Sequence, residues 1–550
     1  SGLFDNDKKL KAYTKEELDL FLYQEPIKLK NPPEEWRKSA KYVGLIPRFR
    51  RIFLGDKEFN KKRYAKHLKN VVENKICPTC NGQRLNSKIL SCKIMGKNIS
   101  DFTQMTVKEN LAFLNKLNNS TAQFIIEPLR KQLEALDYIG LSYLTLNRVT
   151  TSLSGGEAQR LKLIRHLNSS LSDLVYIIDE PSVGLHPEDI AKINEILKSL
   201  KHKGNTVLIV EHDPDVIKEA DYIIDMGPSS GAQGGEITFK GTYKELLSSD
   251  TSTGEALRIK HHLKNEIREA KSFYHLGPVT QNNLKNVTVD IPKHVLTVLT
   301  GVAGSGKSSL VKAGFAKNDN AVFMDQKAIQ GSDRSNLLTY LGVFDRVRNF
   351  FSKETGLNKS MFSYNSKGAC ANCGGKGYIE TELAFMGEFS QTCEVCHGKR
   401  YKPEVLNATI DGYSIADFLE LTVDEGIRFF DKENEIQSKL QAISKTGLNY
   451  VTLGQPLSTL SGGEIQRVKL GQYLNDDVTD SIFIFDEPTT GLHEADIPIL
   501  INCFNDLIEQ NNTVILIEHN LSIMCDADWI IDVGPGPGLD GGKIQFSGYP

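Results

Sequence analysis

No stretch of the 550-residue chain approaches the ~18 consecutive apolar residues of a membrane-spanning helix, which argues against a helical bilayer crossing. The opening SGLFDNDKKLKAY lacks an apolar h-region, so no secretory signal is visible there. Charge of one sign is also lacking: 66 Lys and Arg stand against 69 Asp and Glu, a net −3. Such a balance exerts no global pull on nucleic acid, so any such binding needs a local basic patch. Cysteine is sparse, and its count of nine is odd. Four of the nine fall in two neighbouring CxxC pairs, which without an export signal read as metal binding rather than a disulfide framework. Apolar residues at 40% and charged residues at 25% exclude collagen, coiled coil and wholesale disorder. The expectation is a cytoplasmic chain of about three or four domains at roughly 150 residues each.

What is there repeats. GLSYLTL…TSLSGGEAQRLKL (Gly140 to Leu163) returns as GLNYVTL…STLSGGEIQRVKL (Gly447 to Leu470), VYIIDEPSVGLH as IFIFDEPTTGLH, and NTVLIVEHD as NTVILIEHN, each offset by 307 positions. CPTCNGQRL at Cys77 answers CEVCHGKRY at Cys393 with an offset of 316. A period this long marks a duplicated domain. The second copy holds GVAGSGKSS at Gly301 to Ser309, and residues 1–150 hold no counterpart. Either offset puts that counterpart before Ser1, so the simplest expectation is a chain that starts downstream of a first phosphate loop.

The fold expected is α/β. TVLTGVAGSGKSSLVKAGF reads as strand, Gly-rich turn and helix, and LSGGEAQRLKLIRHL has helical spacing. YIID and IFIF read as strands buried on both faces of a parallel sheet. The polar stretch 258–272 is the junction between copies, either a solvated helix or a flexible linker.

Gly301-x4-Gly306-Lys307-Ser308 fits a P-loop and its strand–helix context. Gly301, Gly304, Ser305, Gly306 and Ser309 would bring backbone N–H groups to phosphate oxygens. Lys307 would reach the β- and γ-phosphates, and the Ser308 hydroxyl would ligate Mg²⁺. Asp486, ending the FIFDEP strand, suits the same Mg²⁺, and Glu487 would orient or deprotonate the attacking water. His519 after VILIE would sense the γ-phosphate, and His212 repeats it. Gln326 in FMDQK is the candidate to couple the Mg²⁺ site to the inserted region.

Cys370, Cys373, Cys393 and Cys396 form CxxC-x19-CxxC, the spacing of a tetrahedral Zn²⁺ site. Phe385 and Met386 would lie at the tip of its hairpin. Cys77 and Cys80 form a third pair without a companion, Cys92 is isolated, and Cys503 and Cys525 read as core thiols. Residues 26–75 hold 15 Lys and Arg against five Asp and Glu. IPRFRRIF and NKKRYAKHLK interleave these bases with aromatics, as a phosphate-tracking surface would. Arg48, Arg50, Arg51, Lys61, Lys62 and Arg63 are the candidates for DNA contact, against the alternative of a solvated helical face.

LSGGE standing 25 residues before each hydrophobic-DE pair resembles the signature of ABC-type ATPases. That resemblance implies that the LSGGE helix of one half caps ATP on the P-loop of the other. Ser154, Gly155 and Gly156 would then face nucleotide at Lys307. Ser461, Gly462 and Gly463, with Asp179, Glu180 and His212, would serve a second site. The 160 residues between P-loop and LSGGE, the zinc insertion, the GLH after each DEP and the closing IIDMGPSSGAQGGEI and IIDVGPGPGLDGGKI narrow the field. Together they resemble the UvrA family of nucleotide excision repair.

The resemblance implies tandem ABC-type halves with inserted helical and zinc-binding modules: 1–135 as the inserted signature-type region of the first half, 136–257 as its core, 258–272 as linker, 273–345 as the P-loop part of the second half, 346–445 as its zinc insertion and 446–550 as its core. It implies an ATPase that is not itself a nuclease, using ATP, Mg²⁺ and Zn²⁺ on damaged or drug-modified duplex DNA. A homodimer and UvrB are the protein partners it suggests, and further upstream cysteines would complete a site with Cys77 and Cys80. GVAGSGKSS departs from the family's usual GVSGSGKSS, and the opening is similar to shorter paralogues associated with antibiotic resistance. A DNA-drug resistance factor and a nuclease-recruiting scaffold are therefore the alternatives, with a transporter ATPase disfavoured by the zinc insertion.

Overall fold

In the computed structural model of the chain, the described residues are 8–29, 41–54, 73, 75–117, 120–153, 157–158, 160–162, 164, 172–182, 185, 187–228, 234–324, 335–383, 387–431, 433–475 and 478–550. They form two compact units, Ser1–Ser100 and Asp101–Pro550. In the first unit, helix Lys15–Tyr23 opens with a capping box: Glu17 N–H donates to Thr14 Oγ1 at 3.2 Å, and Thr14 N–H donates to the Glu17 carboxylate at 2.7 Å. Ile27 and Tyr42 bridge antiparallel, and helix Leu45–Phe49 runs into a π-helical turn over Arg50–Leu54.

The second unit holds the strands of both copies. The first contributes the parallel pair β1 (Val175–Asp179) and β2 (Thr206–Val210) and the antiparallel pair β3 (Ile223–Gly227) and β4 (Glu236–Gly241). The second opens with the hairpin β5 (Phe273–Val279) and β6 (Val287–Pro292), then β7 (Leu296–Thr300), helix Lys307–Gly314 and β8 (Ala321–Met324). An inserted region follows, with the hairpin β9 (Tyr378–Leu383) and β10 (Gly387–Thr392) and the short pair β11 (Thr409–Ile410) and β12 (Tyr413–Ser414). The chain returns through helix Gly462–Leu474 to β13 (Ile482–Asp486), β14 (Thr513–Ile517), β15 (Trp529–Gly534) and β16 (Lys543–Gly548).

Six of these strands make one sheet in the order β16-β15-β7-β14-β13-β8, parallel except for β16. Its central strands are apolar at every other position on both faces. Leu296, Val298, Phe483, Phe485, Val514 and Leu516 pack toward helix Ile497–Glu509, while Leu299, Ile484, Ile515 and Ile517 pack with Leu310 and Val311 of the helix that follows the P-loop. Each side chain so buried contributes roughly 1.5–3 kcal/mol. The ends of β7, β13 and β14 therefore form a rigid platform at one edge of the sheet.

The first copy differs from the expectation for YIID. Only one face of β1 and β2 is covered, by helix Pro187–His202, while Val175 is 63% and Ile177 75% exposed. The opposite face, which also carries the exposed Leu208 and Val210, has no layer packed on it among the described residues. Stretch 258–272 is neither a solvated helix nor a loose linker. After helix Ser252–Arg258 it has no helix or strand, and Lys264 and Arg268 both pair with the buried Asp528. That carboxylate also accepts the N–H of Arg268 and that of Leu296, both at 2.8 Å, fixing the strap to the start of β7.

Candidate nucleotide site and metal centre

The P-loop leaves β7 at Gly301, whose φ of +130° favours glycine, and a Cβ there would lie 2.1 Å from the Val533 carbonyl oxygen of β15. Gly306 caps helix Lys307–Gly314 in the left-handed region, so this helix starts with its N–H groups around the loop. Lys307 Nζ donates to the loop carbonyls of Gly301 and Val302 at 2.6 and 3.1 Å. Burial pushes its pKa down, against the pull of Glu487, Asp486, Glu518 and Asp532. Ser308 Oγ donates to Asp486 Oδ1 at 3.1 Å, so the hydroxyl and carboxylate suited to Mg²⁺ converge on one spot. Lys312 pairs with the same carboxylate at 3.3 Å.

Glu487 follows with φ +52°, left-handed for a residue that rarely adopts it. Strain of this kind costs on the order of 1–3 kcal/mol and gathers at functional sites. Its repeat partner Glu180 has the same strain, φ +44°. Burial, then the like charges of Glu518 and Asp486, push the Glu487 carboxyl up to about 7, opposed by Lys307 and Arg160. A carboxyl near neutrality in reach of the phosphate loop can accept a proton from water. Glu180 is raised by burial, opposed by His212, whose Nδ1 lies 3.6 Å away. Ser461 caps helix Gly462–Leu474 with Glu464 in a capping box. Gly463 lies so close that a Cβ would meet the Thr490 carbonyl oxygen at 2.3 Å.

Sequence reasoning missed several participants. Glu518, 1% exposed, accepts N–H donors from Thr489, His519 and Asn520 at 2.9, 2.9 and 3.2 Å, fixing the turn after Glu487 and the start of the His519 loop together. Glu211 does the same with Ser182, His212 and Asp213. The repeated EH pair was the signal. Gln466 Nε2 donates to the carbonyls of Met324 and Asp486 at 3.1 and 2.8 Å, tying the signature helix to the strand end. The halves also meet: a Cβ on Gly491 of the second would lie 3.6 Å from Glu180 Oε1 of the first. Ser154, Gly155, Gly156 and Gln326 lie outside the described residues.

Cys370, Cys373, Cys393 and Cys396 are buried, with all four sulfurs within 4.8 Å of one another. Cys370 and Cys393 are 4.0 Å apart, Cys373 and Cys396 3.7 Å. Zinc–thiolate bonds of about 2.3 Å in a tetrahedron require sulfurs about 3.8 Å apart, so the four can hold such an ion. Asn372 Nδ2 donates to Cys393 Sγ at 3.3 Å and Gly377 N–H to Cys373 Sγ at 3.2 Å, which favours thiolates.

A family model described as ABC transporter matches residues 284–490. UvrABC system protein A of Clostridium perfringens is 39% identical, with 100% of this chain covering 63% of it. The protein of that name from Aquifex aeolicus is 39% identical, with 93% of this chain covering 60% of it. The solved structure of UvrA2 from Deinococcus radiodurans superposes with a TM-score of 0.87 at 34% identity, over 100% of this chain and 74% of that one. The chain belongs to the UvrA family. It spans a little under two thirds of the length of these curated UvrABC relatives.

The first unit of this UvrA-family chain carries further candidates of its own. Arg48, Arg50 and Arg51 are exposed on the helix and π-helical turn of the first unit, while Lys61, Lys62 and Arg63 lie outside the described residues. Cys77 is exposed and Cys80 half-buried, and among the described residues no cluster of three or more metal-binding side chains includes them. Cys503 is a buried core thiol, as expected, donating to the Lys445 carbonyl at 3.3 Å, and Cys525 is half-buried. No helix among the described residues is long and apolar enough to cross a membrane.

Proposed function

We propose that this chain couples ATP binding and hydrolysis to recognition of damaged or distorted duplex DNA in nucleotide excision repair. The observation that carries the reading is the convergence of Lys307, Ser308, Asp486 and a near-neutral Glu487 at one strand edge, in a UvrA-family chain whose insertion brings four cysteines together. Lys307 and the P-loop amides would bind the phosphates, Ser308 and Asp486 would hold Mg²⁺, and Glu487 would order and deprotonate water. Bound Mg²⁺ would neutralise charge on the β- and γ-phosphates. His519, carried next to Glu518, would report the γ-phosphate. Asp179, Glu180 and His212, with Ser461, Gly462 and Gly463, would serve a second composite site. Zinc at the four cysteines would hold the insertion together, and Cys77 and Cys80 would hold a second zinc with further ligands.

Arg48, Arg50, Arg51, Lys61, Lys62 and Arg63 would contact DNA phosphates, giving shape-based rather than sequence-based readout. A homodimer in the cytoplasm that hands DNA to UvrB fits this role. Gel-shift on damaged and intact duplex, with and without MgATP, is the test. ATP-dependent preference for the damaged duplex is expected, and equal affinity in all four conditions would overturn it. Each phosphate contact adds roughly −0.9 to the slope of log K against log salt, so alanine at Arg50, Arg51, Lys62 and Arg63 should flatten that slope.

A further inference from the structure

The second half's P-loop is touched by Tyr143, a first-half side chain within the repeated GLSYLTL segment that has had no role so far. A Cβ on Gly304 would meet Tyr143 at Cζ, Cε2 and Cε1, at 2.9, 3.1 and 3.3 Å, and a Cβ on Gly538 would meet Tyr143 Cβ at 2.6 Å. The two glycines are left-handed, φ +76° and +58°, and Gly538 N–H donates to the Gly304 carbonyl at 3.0 Å. They make a slot with the ring lying along it, hydroxyl end toward the P-loop. Any side chain at either position would expel the ring. The tyrosine hydroxyl donates to Glu157 Oε1 of the first LSGGE segment at 2.6 Å, and Arg148 pairs with the other oxygen at 3.3 Å. Glu157 is only 6% exposed, so this bond is shielded from water.

The other copy shows where such a bond leads. Tyr450, offset by 307 from Tyr143, donates to Glu464 Oε1 at 2.7 Å, and Glu464 Oε2 accepts the N–H of the cap residue Ser461 at 2.7 Å. The phenol thus reaches the N-terminal end of a signature helix through one carboxylate. Gly231 stands in sequence where Gly538 stands in the second copy, so both copies carry the tyrosine and the glycine.

We propose that Tyr143 is a positioning residue for nucleotide at Lys307, setting the P-loop at Gly304 and the first half's signature helix in register across the interface between halves. The proposal rests on the ATPase reading above and adds a residue to it. The ring fixes the loop that holds the phosphates, and the hydroxyl fixes the helix that approaches from the other half. The two contacts separate by substitution.

The test is steady-state MgATP hydrolysis by the full chain, with binding of a fluorescent ATP analogue measured alongside. Tyr143→Phe keeps the ring in its slot and removes the bond to Glu157. It should lower kcat about tenfold while KM stays within about twofold, because misregistered groups slow chemistry more than binding. Tyr143→Ala empties the slot and should also raise KM and weaken analogue binding. Tyr143→Phe with Glu157→Gln should be little worse than the more damaging single change, since the hydroxyl acts through that carboxylate. Unchanged kcat and KM in both Tyr143 variants, or fully additive losses in the double variant, would overturn the proposal. A native chain that binds the analogue without hydrolysing ATP would overturn the ATPase reading instead, and unchanged analogue affinity in Tyr143→Ala would then also dismiss the tyrosine.

Discussion

Thr253 Oγ1 lies 3.2 Å from His493 Nε2, joining residues 240 positions apart on different copies. The protons can be assigned. Ala495 N–H donates to His493 Nδ1 at 3.2 Å, so Nε2 carries the hydrogen and donates to Thr253. Thr253 in turn donates to Asp225 Oδ1 at 2.7 Å, at the end of a relay running from the loop after Glu487 into β3 of the first copy.

That chain predicts a split between two substitutions. Thr253→Val leaves a carboxylate and an imidazole without their shared partner and should destabilise the protein by roughly 1–3 kcal/mol. Thr253→Ser keeps both bonds and should cost well under half of that. Urea unfolding of the two variants compares them directly, and equal midpoints would mean the relay carries no stability.

Much of the site was legible because its chemistry is written in adjacent residues. Lys307 next to Ser308, Asp486 next to Glu487, and two CxxC pairs all declare themselves locally. Tyr143 and Glu518 did not, for different reasons. Tyr143 acts on Gly304, 161 positions away on the other copy, and a tyrosine before a helix reads as ordinary packing. Glu518 was hidden behind His519, which offered the more familiar chemistry. The exposure of Val175 and Ile177 was illegible for a third reason: an apolar run states a preference for burial but not what covers it.

The cysteine cluster predicts a stoichiometry. Purified under reducing conditions, the chain should carry at least one Zn²⁺, and Cys393→Ser should lose one equivalent. Binding in small modules of this kind supplies on the order of 10 kcal/mol of local folding free energy. Chelation should therefore loosen the two CxxC turns at Cys370–Cys373 and Cys393–Cys396 and expose their backbone amides to hydrogen exchange, while the apolar core around Phe351 and Phe418 stays protected. Metal analysis that finds no zinc would reject the assignment.

Asp213 predicts a pH dependence. Burial, with the like charge of Glu211, pushes its carboxyl from 3.8 up to about 6, although it accepts the N–H groups of Asp215 and Val216 as a helix cap. A carboxyl raised on folding binds its proton more tightly in the native state. The native state is thus penalised progressively as pH rises from about 4 through about 6, and the penalty is full above that. Asp213→Asn keeps the cap without the charge, because asparagine caps helices as well as aspartate does. The variant should gain up to roughly 2 kcal/mol over the native chain at pH 7 and nothing at pH 4, after allowing for solvent at a half-buried group. Parallel denaturation curves at both pH values would count against the shift.

The nucleotide site predicts that binding and turnover respond to different residues. Lys307 is a half-buried cation among four carboxylates, so Lys307→Ala removes the positive charge that phosphate oxygens would meet and leaves Glu487, Asp486, Glu518 and Asp532 uncompensated. ATP affinity should fall at least tenfold, since phosphate would then approach a net negative pocket. Glu487→Gln removes a proton acceptor with little change of shape. It should leave ATP affinity within about threefold while slowing hydrolysis by two orders of magnitude or more, in line with the roughly 10²–10⁴-fold usual for a general base. Equilibrium binding and single-turnover hydrolysis, measured on the same preparations, separate the two effects. If Glu487→Gln weakened binding as much as Lys307→Ala did, the carboxyl would be holding the lysine in place rather than activating water.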